Sequence, residues 1–192
     1  MKKVAACLAL IAAAASAGAV DLAAGAAKAE ATCAACHGKG GVSQTALTPS
    51  LAGQPDGFLQ WQLVYFRSGT RKSPLMQPVV ASLSDDDIRN LAAYYAAQKP
   101  APRGAGSGAQ PAMYSVGQRL AQANRCAACH KDDFSGDRAA ARIGGQREDY
   151  LLKALRDFKS GARTGGGVAA MADAVYPLND DQLRALAHFM SH

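Results

Sequence analysis

Aromatic side chains are scarce in this chain, 6% of 192 residues with a single tryptophan. Apolar residues make up 49%, but alanine supplies much of that share. Alanine buries little surface, so these residues alone are thin material for a large core. Long apolar runs are also missing beyond the N-terminus. The one such stretch, residues 4–15, follows Lys2 and Lys3 and precedes two small-residue cleavage sites, Ala15-Ser16-Ala17 and Ala17-Gly18-Ala19. It is too short for a membrane span and reads as a secretory signal, residues 1–19, removed after Ala19. Strand-like alternation is absent throughout, which leaves an all-α reading. No block of one charge sign exists either. Residues 20–100 carry 7 basic and 6 acidic side chains, and residues 101–192 carry 12 and 9. That balance, with no basic-aromatic motif beside it, excludes a nucleic-acid partner. The mild positive excess is compatible with acidic protein partners or a membrane surface.

Cysteine is scarce in an informative way. Of five, Cys7 lies in the signal. The other four form Cys33-Ala34-Ala35-Cys36-His37 and Cys126-Ala127-Ala128-Cys129-His130, leaving none for a structural disulfide. C-x-x-C-H is the attachment signature of c-type haem. On one helical turn the two thiols can bond the porphyrin's vinyl groups, and the histidine can ligate the iron. The competing reading is a pair of zinc or thiol-redox Cys-x-x-Cys sites, and the histidine directly after both pairs argues for haem. An exported chain whose every thiol is committed to haem fits the bacterial periplasm.

The two signatures belong to a duplication with a period of 92 to 95 residues. Leu51-Ala52-Gly53-Gln54, Phe58, Leu63, Phe66, Gly69 and Arg71 match Ile143-Gly144-Gly145-Gln146, Tyr150, Leu155, Phe158, Gly161 and Arg163. Self-similarity of this kind implies two copies of one fold unit. The expected domains are 20–99 and 113–192, joined by a Pro/Gly-rich surface linker, 100–112. Helices are expected over 21–32, 58–67, 115–125 and 150–160, and after the N-caps Ser84 and Asn179.

The sixth coordination site of each iron decides what a haem domain does. A methionine thioether closes it and suits electron transfer, whereas an open site invites small ligands or catalysis. Met76 and Met171 are the candidates, because each stands eight residues before its N-cap, Ser84 or Asn179. Core packing is the competing role for a methionine. It suits Met113 and Met190, which lack a methionine in the other copy. His188 is an alternative ligand to Met171, and His192 is expected to be solvated. Each ligating imidazole needs a carbonyl for its other nitrogen. Pro49 is placed to offer one to His37, and Ala141 to His130. Arg71, Arg163, Trp61 and Tyr65 could bond haem propionates, with exposure or core packing as competing roles.

Taken together these residues resemble the cytochrome c4 family, dihaem proteins built from two tandem class I cytochrome c domains, over nearly the whole mature chain. The resemblance implies two covalently bound haem c groups with His/Met axial ligands. It also implies electron delivery from a membrane donor complex toward a terminal oxidase, with no catalytic residues. A second reading is a dihaem cytochrome subunit of a larger dehydrogenase, such as a flavocytochrome that oxidises sulfide. A third is a haem enzyme, which would need an open iron. A homodimer or a membrane-surface association fits the carrier, whereas a free monomer or self-dimer counts against the dehydrogenase-subunit reading. Copy two departs from copy one at Lys131 for Gly38, Ala141 for Pro49, and a long glycine-rich approach that puts Met171 in a loop.

Overall fold

The computed structural model describes residues 19–104 and 110–192. The expected signal, apart from Ala19, lies outside the described residues, as do linker positions 105–109.

Among the described residues ten helices carry the fold, and no strand occurs beyond one isolated bridge, Asp137 to Ala140. In the first half these are α1 (Leu22–Thr32), α2 (Ala34–His37), α3 (Asp56–Arg67), α4 (Met76–Val80) and α5 (Asp85–Ala96). A 3-10 turn, Lys39–Gly41, follows α2. The second half repeats the order with α6 (Pro111–Ala123), α7 (Ala127–His130), α8 (Glu148–Ser160), α9 (Val168–Val175) and α10 (Asp180–Ser191). The starts follow from capping. Asp21 accepts from the backbone N–H groups of Ala23 and Ala24 to open α1. Ser84 with Asp87, and Asn179 with Gln182, close reciprocal capping boxes on α5 and α10.

One boundary differs from expectation. Helix α6 starts at Pro111, inside the segment assigned to the linker. Proline is suited to the first helical turn, where its missing N–H would have no partner anyway. The linker's first residues are also seated rather than free. Arg103 donates to the Phe189 carbonyl (3.1 Å) and lies over the rings of Phe134 and Phe189. The Gly104 N–H donates to Ser191 O.

Each half packs its own core. Leu59, Phe66, Val80, Leu83, Ile88, Leu91 and Tyr95 form the first, with Ala29 and Ala92. Leu151, Val175, Leu178, Leu183, Leu186, Phe189 and Met190 dominate the second, where Met190 takes the packing role expected of it. The first helix of each half crosses the last at a glycine. A Cβ on Gly25 would fall 2.3 Å from Asn90 O, and one on Gly117 would fall 2.0 Å from Ala185 O. Backbones this close leave no room for a side chain, so Gly117→Ala should destabilise the second half by about 1–3 kcal/mol. Thermal unfolding followed by circular dichroism checks this, and an unchanged transition would contradict the crossing geometry.

The halves join through a pseudo-twofold contact built on the repeated glutamines. Gln54 donates to Arg142 O (2.8 Å) and accepts from Arg142 N–H (3.0 Å). Gln146 does the same with Ser50, donating to its O and accepting from its N–H, both at 2.8 Å. Both side chains are buried. The cavity between them holds only about 10 Å³, too little for more than one water.

Candidate haem sites

Helices α2 and α7 place the signature residues. The His37 N–H donates to Cys33 O and the His130 N–H to Cys126 O, both at 3.0 Å. That single turn sets both thiols and the imidazole of each signature on adjoining positions. The His37 ring is 7% exposed, and its Nδ1 lies 2.9 Å from Pro49 O. The His130 Nδ1 lies 2.8 Å from Ala141 O. These are the two carbonyls that the sequence pointed to. A carbonyl can only accept, so Nδ1 carries the proton and the lone pair stays on Nε2. Burial lowers both imidazoles below the ordinary histidine range, partly offset by the carbonyls, which keeps the rings neutral.

The carbonyl loops are anchored alike. Leu51 and Ala52 donate to Gly41 O at 2.7 and 3.0 Å, and Ile143 and Gly144 donate to Phe134 O at 3.0 Å each. Both acceptors have left-handed backbone, φ 84° at Gly41 and 56° at Phe134. Glycine takes that conformation freely, while phenylalanine is strained in it, so copy two holds the same loop at greater cost.

The surroundings of the thiols differ from those of a redox or zinc site. Cys33 and Cys126 are half-buried, Cys36 and Cys129 exposed. Burial pushes the Cys33 and Cys126 thiols up, opposite to the depressed values of reactive Cys-x-x-Cys pairs. Among the described residues, the only cluster of three metal-type donors is Glu148, His188 and His192. No zinc-like set therefore forms around the signatures. A neutral imidazole with a free Nε2, beside two thiols on one turn, fits a covalently held haem.

Met76 opens α4, and its N–H donates to Ser73 Oγ (3.2 Å). Its side chain borders the same core as Cys33, and Met171 borders the same core as Cys126. Each half thus brings a cysteine and a candidate methionine to one apolar cluster. Met171 is not in a loop as expected. It lies in helix α9, Val168–Val175. The glycine run ends at Gly167, and the following Val-Ala-Ala-Met-Ala-Asp-Ala-Val has the alanine content to propagate a helix.

His188 is 2% exposed and fully engaged. Its Nε2 accepts from the Gln110 N–H (3.0 Å), so Nδ1 carries the proton and donates to Glu148 Oε2 (3.1 Å). A ring in that tautomer cannot also ligate through Nδ1. His192, expected in solvent, is half-buried with its ring 4.3 Å from that of His188, because i and i+4 share one face of α10.

The four propionate candidates meet at the junction of the halves. Arg71 bonds Gln62, lies over Phe66, and reaches Tyr150 Oη at 3.5 Å. Arg163 covers Phe158 in the same way. Burial, then Arg163, pulls the Arg71 guanidinium below its ordinary value. Burial alone would raise the Tyr150 phenol, but Arg163 and Arg71 outweigh it and hold the phenol low. Trp61 stacks on Tyr65 with ring centroids 5.7 Å apart. Sequence reasoning missed the interdomain roles of Gln54 and Gln146, although their recurrence at one register was the available signal.

Comparisons with known proteins agree with this architecture. Residues 20–94 match the family model described as cytochrome c oxidase, cbb3-type, subunit III, and residues 114–192 match cytochrome c. Cytochrome c4 from Azotobacter vinelandii is 36% identical over 77% of this chain and 76% of its own length. A thiosulfate dehydrogenase electron acceptor from Stutzerimonas stutzeri (strain A1501) is 34% identical over 83% of this chain and 78% of its own length. The crystal structure of reduced cytochrome c4 from Pseudomonas stutzeri superimposes with a TM-score of 0.81 at 30% identity, covering 90% of this chain and 98% of that one. The fold and the duplicated sites define a c-type cytochrome with two haem domains. The chain belongs to the cytochrome c4 family. It carries two covalently bound haem c groups and works as an electron carrier between redox partners.

Proposed function

We propose that Cys33 and Cys36 attach the first haem and Cys126 and Cys129 the second. In this reading His37 and His130 ligate the irons through Nε2, and Met76 and Met171 close the sixth positions. Bound there, each haem supplies one-electron exchange between ferrous and ferric iron. The chain's own part is to hold the imidazoles neutral and oriented, and to offer a soft thioether to each iron that would be bound there. A thioether favours the ferrous state and raises the potential. The apolar clusters beside Cys33 and Cys126 disfavour the extra ferric charge. The observation that carries this reading is the duplicated Nδ1–carbonyl bond, at 2.9 and 2.8 Å, which leaves Nε2 as the ligating nitrogen in both halves.

With both irons closed, the protein is a carrier rather than an enzyme. It is exported to the periplasm by its N-terminal signal, and no helix among the described residues is long and apolar enough to cross a membrane. Its electrons go toward a terminal oxidase, a direction supported by the oxidase-subunit model that matches the first half. A dehydrogenase is the second reading for the donor, supported by the relative named as a thiosulfate dehydrogenase electron acceptor. Met76→Ala should abolish the methionine-to-iron charge-transfer absorption of one ferric haem and let that haem alone bind carbon monoxide when reduced. An unchanged spectrum would remove Met76 from the ligand set. Rapid reduction by purified thiosulfate dehydrogenase and thiosulfate would select the dehydrogenase donor, and no reduction would discard it.

A further inference from the structure

We propose that Tyr65 of the first domain is a positioning residue for Met171 of the second. The inference rests on Met171 as the second iron ligand. The two methionine segments are held by different means. In the first domain the hold is local. Ser73 Oγ accepts from the Met76 N–H, and Gln77 Oε1 accepts from the Ser73 N–H at 3.1 Å. Counted from the N-caps, Val168 and Ala172 stand where Ser73 and Gln77 do, and neither side chain can form such a bond. Copy two therefore lacks the clasp that copy one supplies for itself.

The other domain supplies a substitute. Residues 164–167 run along its surface before α9 begins. The Lys72 N–H donates to Thr164 Oγ1 at 3.1 Å. A Cβ on Gly165 would lie 3.5 Å from Arg71 Cβ and from the Tyr65 ring. A Cβ on Gly166 would fall 2.1 Å from Tyr65 Oη and 2.6 Å from its Cζ, so the phenol lies directly against the Gly166 backbone. Trp61 stacks on that ring and stiffens it. Gly167, at φ 74°, turns the chain straight into α9, and Met171 lies within the first turn or so beyond. A helix is a stiff transmitter of its first turn's placement, so a shift at Gly166 moves the Met171 Cα with it. This also accounts for the glycine-rich approach, since the phenol occupies the space a side chain at 166 would need. Docking of the domains thereby helps to complete the second iron site.

The test uses the full haem-loaded chain and two readouts that a purely structural contact would not move selectively. These are the methionine methyl resonances of the reduced haems and carbon monoxide binding. Met76→Ala and Met171→Ala first assign the two resonances. Tyr65→Ala should then weaken or broaden the Met171 resonance and raise the carbon monoxide on-rate at the second haem by about tenfold or more, leaving the Met76 haem closed. Tyr65→Phe, which keeps the ring, should stay near wild type. Gly166→Ala approaches the same contact from the loop side and should reproduce the opening. If Met171→Ala opens the second haem while Tyr65→Ala and Gly166→Ala leave it closed, the positioning role is wrong and the ligand assignment stands. If Met171→Ala leaves both methionine resonances intact, the ligand assignment itself fails.

Discussion

A chain carrying Cys33→Ser and Cys36→Ser should be recovered with one haem instead of two, and its first half should lose cooperative unfolding. The reason lies in the size of the core. Nine residues make up the buried cluster of that half, and two of them are alanine. A unit of that size rarely draws more than about 3–5 kcal/mol from its core. Leu51, Leu63, Val64, Met76 and Tyr94 border the cluster only half-buried, as does Cys33. A flat apolar ring tethered at Cys33 and Cys36 would cover such residues, and without the tether they remain wet. Each methylene-sized portion left uncovered forfeits about 0.8 kcal/mol, so a few of them exhaust the margin. The pyridine haemochrome assay gives the haem count, and amide hydrogen exchange reports the two halves separately. The second half should keep its haem and its protection, somewhat weakened by the lost interface. Two haems in the double variant would show that attachment does not run through these thiols.

Much of this organisation was legible before any coordinates. The caps at Asp21, Ser84 and Asn179 act over two or three residues, and local chemistry of that range is written directly in the sequence. The Pro49 and Ala141 carbonyls were legible because the duplication places them at one register, 12 and 11 residues after their histidines. The helix around Met171 was hidden by its neighbours. Gly165, Gly166 and Gly167 read as a flexible loop, yet a left-handed glycine also serves as the corner from which a helix departs. His188 was weighed as a ligand because its partners, Gln110 and Glu148, lie 78 and 40 residues away, and no periodic pattern encodes such a contact. The linker misled for a similar reason. Its composition is that of a spacer, but Arg103 finds two aromatic faces and a carbonyl on the second domain.

The glutamines are the strongest case of a residue whose role only the fold discloses, and they carry the second large effect. Gln54→Ala with Gln146→Ala should separate the two halves into independently unfolding units. Each amide satisfies one backbone N–H and one carbonyl of the opposite half, at 2.8 to 3.0 Å. A carboxamide is the side chain suited to this, because it donates and accepts side by side, as a backbone does. Truncation leaves a buried donor and acceptor at Ser50, and a half-buried pair at Arg142, without their partners, at about 1–3 kcal/mol for each group that stays buried. Arg142 Nε still donates to Gly53 O at 3.1 Å, but two further cross-contacts are weaker. The Leu47 N–H to Asp149 bond is at the exposed edge, and the Arg147 to Ser43 O bond is long at 3.3 Å. Gln146→Ala, which frees the buried Ser50 groups, should cost more than Gln54→Ala, which frees the half-buried Arg142 groups. Calorimetry should resolve two transitions in the double variant against a single one expected of the parent, and small-angle scattering should report a larger radius of gyration. The consequence reaches the second haem, since Tyr65 can press on Gly166 only while the halves are docked. The double variant should therefore also raise carbon monoxide binding at the Met171 haem and leave the Met76 haem closed. Separation of the halves with both haems still closed would uncouple the interface from ligation.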